Sequence, residues 1–148
     1  MTIRPAREDD VPVIRRLIQG LAEYERLADQ AVATEADLRA ALFGPRPYAE
    51  VVLAEDHAIL GFALFFHNYS TFRGRPGIYL EDLFVVPEAR GRGVGTALLL
   101  HVRDLAVLRG CGRMEWAVLS WNQPAIGFYR KLGAEPMDDW RLCRLSFP

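Results

Sequence analysis

The sequence predicts an α/β domain built on a mixed, mostly antiparallel central sheet with helices on both faces. Three observations carry that expectation. Apolar runs of strand composition and runs of helical spacing follow one another in the order β-α-α-β-β-β-α-β-α-β, with helices between strands but no strict alternation. Two of the strand runs, in "YAEVVLAEDHAILGFALFFHNYS", are joined by a short turn near Asp56 and His57, as in an antiparallel hairpin. A glycine-rich stretch, "EARGRGVGTALLL", separates the end of one long strand run from the start of a helical one.

Taken in order, "TIRPA" reads as a short first strand. Asp9 or Asp10 is placed to cap a helix running to about Leu27, with Pro12 tolerated in its first turn. Val13, Ile14, Leu17, Ile18 and Leu21 recur at helical spacing. "ATEADLRAALFG" is a second helix, with Thr34 as cap and Gly44 as stop. After the hairpin, "GIYLEDLFVV" is a third long strand. A helix then runs from about Gly93 to Arg109, with Leu98, Val102 and Leu105 as its inner stripe. "RMEWAVL" is another strand, and "QPAIGFYRKLG" a short helix with Pro124 in its first turn and Gly133 as its stop. "WRLCRLSF" is expected to close the sheet. With no repeat, low-complexity tract or linker, residues 1–148 read as a single domain.

Composition narrows the function classes. The chain is 51% hydrophobic and 25% charged, as in a globular protein. A net charge of -1 gives no bulk attraction to nucleic acid or to an anionic membrane. Cys111 and Cys143 are too few and too far apart for a zinc site or a disulfide framework, and two free thiols suit a reducing cytoplasm. The N-terminus turns charged at once, without an apolar signal core. No apolar run approaches the roughly 18–20 residues of a membrane span. His57, His67 and His101 lack ligand spacing. The expectation is a cytoplasmic protein with no nucleic-acid or membrane partner and no metal.

The glycine stretch is where chemistry is concentrated. Glycines between a strand and a helix N-terminus let successive N–H groups point at an anion, and the helix dipole adds partial positive charge. A P-loop needs Lys and then Ser or Thr after its last glycine; here Gly95 is followed by Thr96 and Ala97. A dinucleotide fingerprint needs a glycine three beyond Gly93, where Thr96 stands. What remains is R-x-x-G-x-G, carried by Arg90, Gly93 and Gly95. The residues alone leave this open between a phosphate cradle and a plain surface turn.

Glu81 and Asp82 are the second signal. They interrupt an apolar strand, where carboxylates are costly unless paired or used. In a regular strand they point to opposite faces, so one is expected to face a cleft while the other pairs elsewhere.

R-x-x-G-x-G followed by "AVLSWNQPAIGFYRKLGAE" resembles the two linked motifs of the GNAT superfamily of N-acetyltransferases. The stretches "IRPA", "LAEYE", "YLEDLFVVPEARGRGVG" and "WNQPAIGFYRKLGA" are similar to the diamine (spermidine/spermine) acetyltransferase group, from Thr2 to about Leu145. The resemblance implies a GNAT fold, acetyl-CoA as cosubstrate and a small-molecule amine as acceptor. It implies that the amides of Gly91, Arg92, Gly93, Val94, Gly95 and Thr96, with the side chains of Arg90 and Arg92, face the phosphates. Backbone groups of Leu83, Phe84 and Val85 would hold the pantetheine arm, and Asn122, Pro124 and Ala125 would hold the cosubstrate as well. The acceptor site would be lined by Tyr24, Glu25, Glu81, Glu115, Trp116 and Ala117. Tyr129 would be the general acid. Glu81 would bind the amine and act as a base through water, or only bind it. Asn122 would also cap its helix. A homodimer is implied too.

One departure bears on substrate. Where the polyamine enzymes carry an Asp-Pro-Trp run, this chain has Ser70, Thr71 and Phe72 in "NYSTFRGR". That stretch is nearer the thialysine-acetylating branch and points to a small primary amine or amino acid side chain. The competing expectation is a non-catalytic acyl-CoA-binding module on the same fold. Retention of both Glu81 and Tyr129 favours the enzyme.

Overall fold

The computed structural model describes Met1–Pro148. Met1–Trp116 and Ala117–Pro148 are two compact units. The first holds β1 (Thr2–Pro5), α1 (Val11–Tyr24), α2 (Glu35–Phe43), β2 (Glu50–Asp56), β3 (Ala58–Ser70), β4 (Arg75–Val85), α3 (Val94–Leu108) and β5 (Met114–Glu115). The second holds α4 (Gln123–Lys131). The strands form one sheet in the order β1-β2-β3-β4-β5. Neighbours are antiparallel except β4 and β5, which are parallel. This is the mixed, mostly antiparallel sheet that the sequence predicts.

Helices cover both faces. Val11, Ile14 and Leu17 of α1 and Leu38 and Leu42 of α2 form one core with Val51, Leu53, Phe62 and Phe84. The tightness of that core at Gly20 is steric: a Cβ there would lie 2.9 Å from the Phe84 ring. On the other face, α3 packs on β3 and β4 and buries Val94, Leu98, Leu99, Val102 and Ala106. These residues recur every three or four positions, as an inward stripe must.

Two of the four helices, α2 and α4, start on a side-chain cap. At α2, Thr34 Oγ1 accepts from Asp37 N at 3.1 Å while Asp37 accepts from Thr34 N at 2.8 Å, a reciprocal capping box. At α1, Asp10 holds the cap position but its carboxylate does not cap the helix. It accepts from Arg7 N at 2.7 Å and from Arg4 Nη1 at 2.8 Å, and Arg4 Nε also reaches Glu55 at 2.7 Å. Arg4 therefore ties β1 to β2 through Glu55 and to the start of α1 through Asp10. The helix also ends at Tyr24 rather than near Leu27, because Arg26 takes a left-handed φ of 61° that no helix continues through.

Two expected strands are reduced or absent. "RMEWAVL" forms a strand over Met114–Glu115 alone. "WRLCRLSF" is irregular, with Trp140, Leu142, Leu145 and Phe147 all exposed. The reason is hydrogen bonding: a strand exists only against a ladder partner, and α4 is the regular element of the second unit.

Gly61 sets how closely β3 and β4 approach beside the glycine loop. A Cβ there would lie 2.5 Å from Phe84 O and 3.3 Å from Leu98 Cδ1. Gly61→Ala is expected to destabilise the protein by roughly 1–3 kcal/mol in urea unfolding, the scale of overpacking a close-packed interior. An unchanged midpoint would show that the strand pair relaxes at no cost.

Candidate active site

β4 carries most of the site, and its register explains how. Phe65 pairs with Leu80, and Leu64 pairs with Asp82. Glu81 is therefore an extra residue, a β-bulge. The slip reverses which face each residue takes. Upstream, Ile78 and Leu80 are buried on the side opposite α1; downstream, Phe84 packs in the core with α1, and Asp82 pairs with Leu64, which packs against that same core. The expectation of opposite faces for Glu81 and Asp82 assumed a regular strand, and the bulge breaks that alternation. The two carboxylates act on each other electrostatically, and Glu25, the residue that ends α1, joins them.

The consequence is a cluster of like charges. Burial, and then the charges of Glu81 and Glu25, push the Asp82 carboxyl up to about 7. Burial and then Glu81 also raise Glu25. Burial, Glu81 and Glu115 raise the Tyr79 phenol, and Glu115 sits opposite Tyr79 in the parallel β4–β5 pair. Glu115 is also held by Arg113 at 3.1 Å. Such a cluster favours any cation that enters it. It is not arranged as a metal-binding group.

The β5 pairing ends at Tyr79 and Glu115. Beyond it, β4 runs on through Leu83, Phe84 and Val85 to a 3-10 turn at Pro87–Ala89 and then into the loop. Gly91 and Gly93 have φ of 75° and 79°, conformations that only glycine takes without strain. Gly93 is the N-cap of α3, and no side chain caps that helix. Val94, Gly95 and Thr96 form its first turn, whose N–H groups have no intrahelical acceptor. This differs from α2 and α4, which Thr34 and Asn122 cap. An anion such as a pyrophosphate fits a helix end with these properties.

The two loop arginines are engaged by the protein itself. Arg90 Nε donates to Val85 O at 3.0 Å, and its Cζ lies 5.2 Å from the centre of the Tyr24 ring and 5.4 Å from that of Phe84. Arg92 reaches Asp56 in the β2–β3 turn at 3.8 Å. A cavity of about 720 Å³ lies beside Arg90, between α1 and the end of β4, with Tyr24, Phe84 and Val86 in its wall.

The first unit therefore brings together Tyr24, Glu25, Glu81, Phe84, Arg90 and Glu115, with Trp116 at its end. The second unit holds Ala117, Asn122, Pro124, Ala125 and Tyr129. Asn122 is 6% exposed, and its Oδ1 accepts from Ala125 N at 3.3 Å. Pro124 occupies the first turn of α4, and Tyr129, whose ring centre lies 5.3 Å from that of Phe128, the second. Sequence reasoning leaves Tyr79 outside the site and singles out Asp82 beside Glu81 without giving it a role of its own. The signal for Asp82 was present in the adjacent acids of an apolar strand, but the bulge that unites them leaves no periodic trace.

Residues 14–134 match the Acetyltransferase (GNAT) family. The chain is 40% identical over 146 residues to a thialysine N-epsilon-acetyltransferase of Bos taurus, covering 93% of this chain and 85% of that protein. It is 34% identical over 190 aligned residues to an L-ornithine N5-acetyltransferase of Arabidopsis thaliana, covering 97% and 83%. Among solved structures, an integron cassette protein from the mobile metagenome of V. cholerae superposes with a TM-score of 0.83 at 28% identity, covering 99% and 92%. The chain belongs to the GNAT acetyltransferase family and is an N-acetyltransferase, and the family implies acetyl-CoA as cosubstrate. No helix is long and apolar enough to cross a membrane.

The raised Asp82 carboxyl has a stability consequence. Its folded value of about 7 lies above the ordinary 3.8, so between those pH values the folded state holds the proton more tightly. Stability from this group is full below pH ~4 and is lost as pH rises through about 7. Asp82→Asn should therefore stabilise the protein by roughly 1–3 kcal/mol at pH 8, and the gain should shrink toward pH 5. Thermal unfolding of both proteins across that range checks this. A difference independent of pH would contradict it.

Proposed function

We propose that the chain moves the acetyl group of acetyl-CoA directly to a primary amine of a small molecule: a diamine, a polyamine or, first among these, an amino acid side chain of the thialysine or ornithine type. The observation that carries the reading is the placing on one strand and its following loop of a carboxylate cluster and a helix N-terminus without a side-chain cap. The names of the relatives support the acceptor class.

Acetyl-CoA supplies an activated thioester. The amides of Gly91–Thr96 hold its pyrophosphate, and the backbone of Leu83–Val85, where β5 no longer pairs, positions its arm. Arg92 adds charge from the loop. Asn122, Pro124 and Ala125 form the rest of the cosubstrate site.

The acceptor arrives as an ammonium, which ordinarily keeps its proton up to about pH 10. Tyr24, Glu25, Glu81, Glu115, Trp116 and Ala117 bind it. Glu81 holds the ammonium and takes its proton, through water, so that the nitrogen lone pair can attack. Asp82 is the nearest carboxylate to Glu81 along the chain, and its charge is favoured once a cation sits in the cluster. Tyr129 gives its phenolic proton to the departing sulfur. No metal is needed at any step in this reading.

The working form is a single functional domain over residues 1–148, acting as a homodimer in the cytoplasm. The exposed apolar side chains of the Trp140–Phe147 segment support self-association, and the two free cysteines support a reducing compartment.

The test is thiol release from acetyl-CoA against thialysine, ornithine, lysine, putrescine and spermidine, with wild type beside Tyr129→Phe. Turnover is expected on at least one amino acid acceptor, with kcat reduced roughly 100-fold or more in the variant. Tight acetyl-CoA binding without turnover on any amine would favour the non-catalytic module instead.

A further inference from the structure

We infer that Arg90 is a positioning residue that couples the acceptor site to the cosubstrate loop, so that each ligand strengthens binding of the other. The inference rests on the acetyl-transfer reading above.

Arg90 stands immediately before Gly91, where the loop begins. The obvious role for an arginine there is to contact phosphate directly. Its surroundings point to another. Nε is committed to Val85 O at 3.0 Å, which fixes the side chain along the end of β4. The guanidinium then lies within cation–π range of Phe84, on β4, and of Tyr24, the last residue of α1. Glu25 follows Tyr24 directly and belongs to the carboxylate cluster with Glu81 and Asp82. One side chain thus joins three things: the start of the anion loop, the strand that carries the acids, and the end of the helix that presents Tyr24 and Glu25.

The fold makes this contact a natural point of transmission. Gly91 and Gly93 leave the loop with little side-chain support of its own, since a Cβ on either would meet nothing within 4 Å. Its anchorage on this side comes from Arg90. The end of α1 is in turn closed by a Schellman cap: Arg26 is left-handed, Arg26 N donates to Glu23 O at 3.1 Å and Leu27 N to Ala22 O at 2.8 Å, so Tyr24 is presented from a fixed helix end. Filling the loop with phosphate favours the Arg90 backbone position from which the guanidinium reaches Tyr24. Placing an ammonium beside Glu25 favours the Tyr24 position that receives it. Each ligand then meets a partner already arranged, and by linkage the effect is equal in both directions. The size of one cation–π contact bounds the coupling at about two- to thirtyfold in affinity.

The experiment measures the CoA dissociation constant by calorimetry with and without saturating thialysine, for wild type, Arg90→Gln, Tyr24→Leu and Tyr24→Phe. In wild type, thialysine should tighten CoA binding by about two- to thirtyfold. Arg90→Gln and Tyr24→Leu should bring that ratio below about twofold. Tyr24→Phe, which keeps the ring, should retain it. The ratio separates coupling from direct phosphate contact, which would weaken CoA equally with and without the amine. Melting temperatures confirm that each variant is folded. A wild-type ratio retained in Arg90→Gln would overturn the inference, as would CoA binding in wild type that thialysine does not alter, with the cosubstrate reading left standing. Failure of wild type to bind CoA at all would overturn both.

Discussion

The first unit depends on one irregularity in one strand. β4 is paired along its length with β3, except that Glu81 has no partner. Were Glu81 paired with Leu64 in a regular ladder, Asp82 would lie on the α3 side with Leu80, and Phe84 could not reach the α1 core. With it, the strand presents apolar side chains to α3 at one end and to α1 at the other, and the crossover point holds adjacent carboxylates. A bulge spends one hydrogen-bonded pairing to re-aim everything downstream of it. Here what lies downstream is the end of the sheet and the glycine loop.

The bulge also accounts for the electrostatics. Two acids on opposite faces would each find their own environment. Brought together with Glu25, they disfavour one another's charge, and the most buried of them, Asp82, holds its proton to near neutrality. Full ionisation of the cluster is costly in an empty site and favourable with a cation present. At the other end of the strand the signs reverse. Backbone N–H groups, a helix dipole and Arg92 form a region suited to anions. A single strand and loop thus present opposite polarities, with Arg90 fixed between them by a hydrogen bond and two aromatic rings.

Much of this was legible in the sequence, and the failures are as informative as the successes. The glycines of the loop, the Thr34 and Asn122 caps and the Asp56–His57 turn are local features, governed by residues close in the chain, and each was read in place. The helix ends are less legible where other partners intervene: the Arg4 guanidinium and Arg7 N draw the Asp10 carboxylate away from capping α1. The face of Asp82 is not legible because alternation assumes an unbroken ladder, and the break depends on how β3 pairs. The closing strand failed for a related reason. "WRLCRLSF" has strand composition, but composition supplies no partner. The resemblance offers the two arginines as phosphate ligands; the aromatic partners of Arg90 lie far off in sequence, on α1 and β4, and leave no local trace.

The central claim is that one strand and its following loop carry two ligand sites of opposite charge. Amide chemical shifts of the ¹⁵N-labelled protein, followed through separate titrations with CoA and with thialysine, test it most directly. The account predicts that CoA moves the amides of Gly91–Thr96 most, and that thialysine moves those of Glu25, Glu81 and Asp82. CoA shifts that spare Gly91–Thr96, or thialysine shifts that spare the three acids, would contradict it.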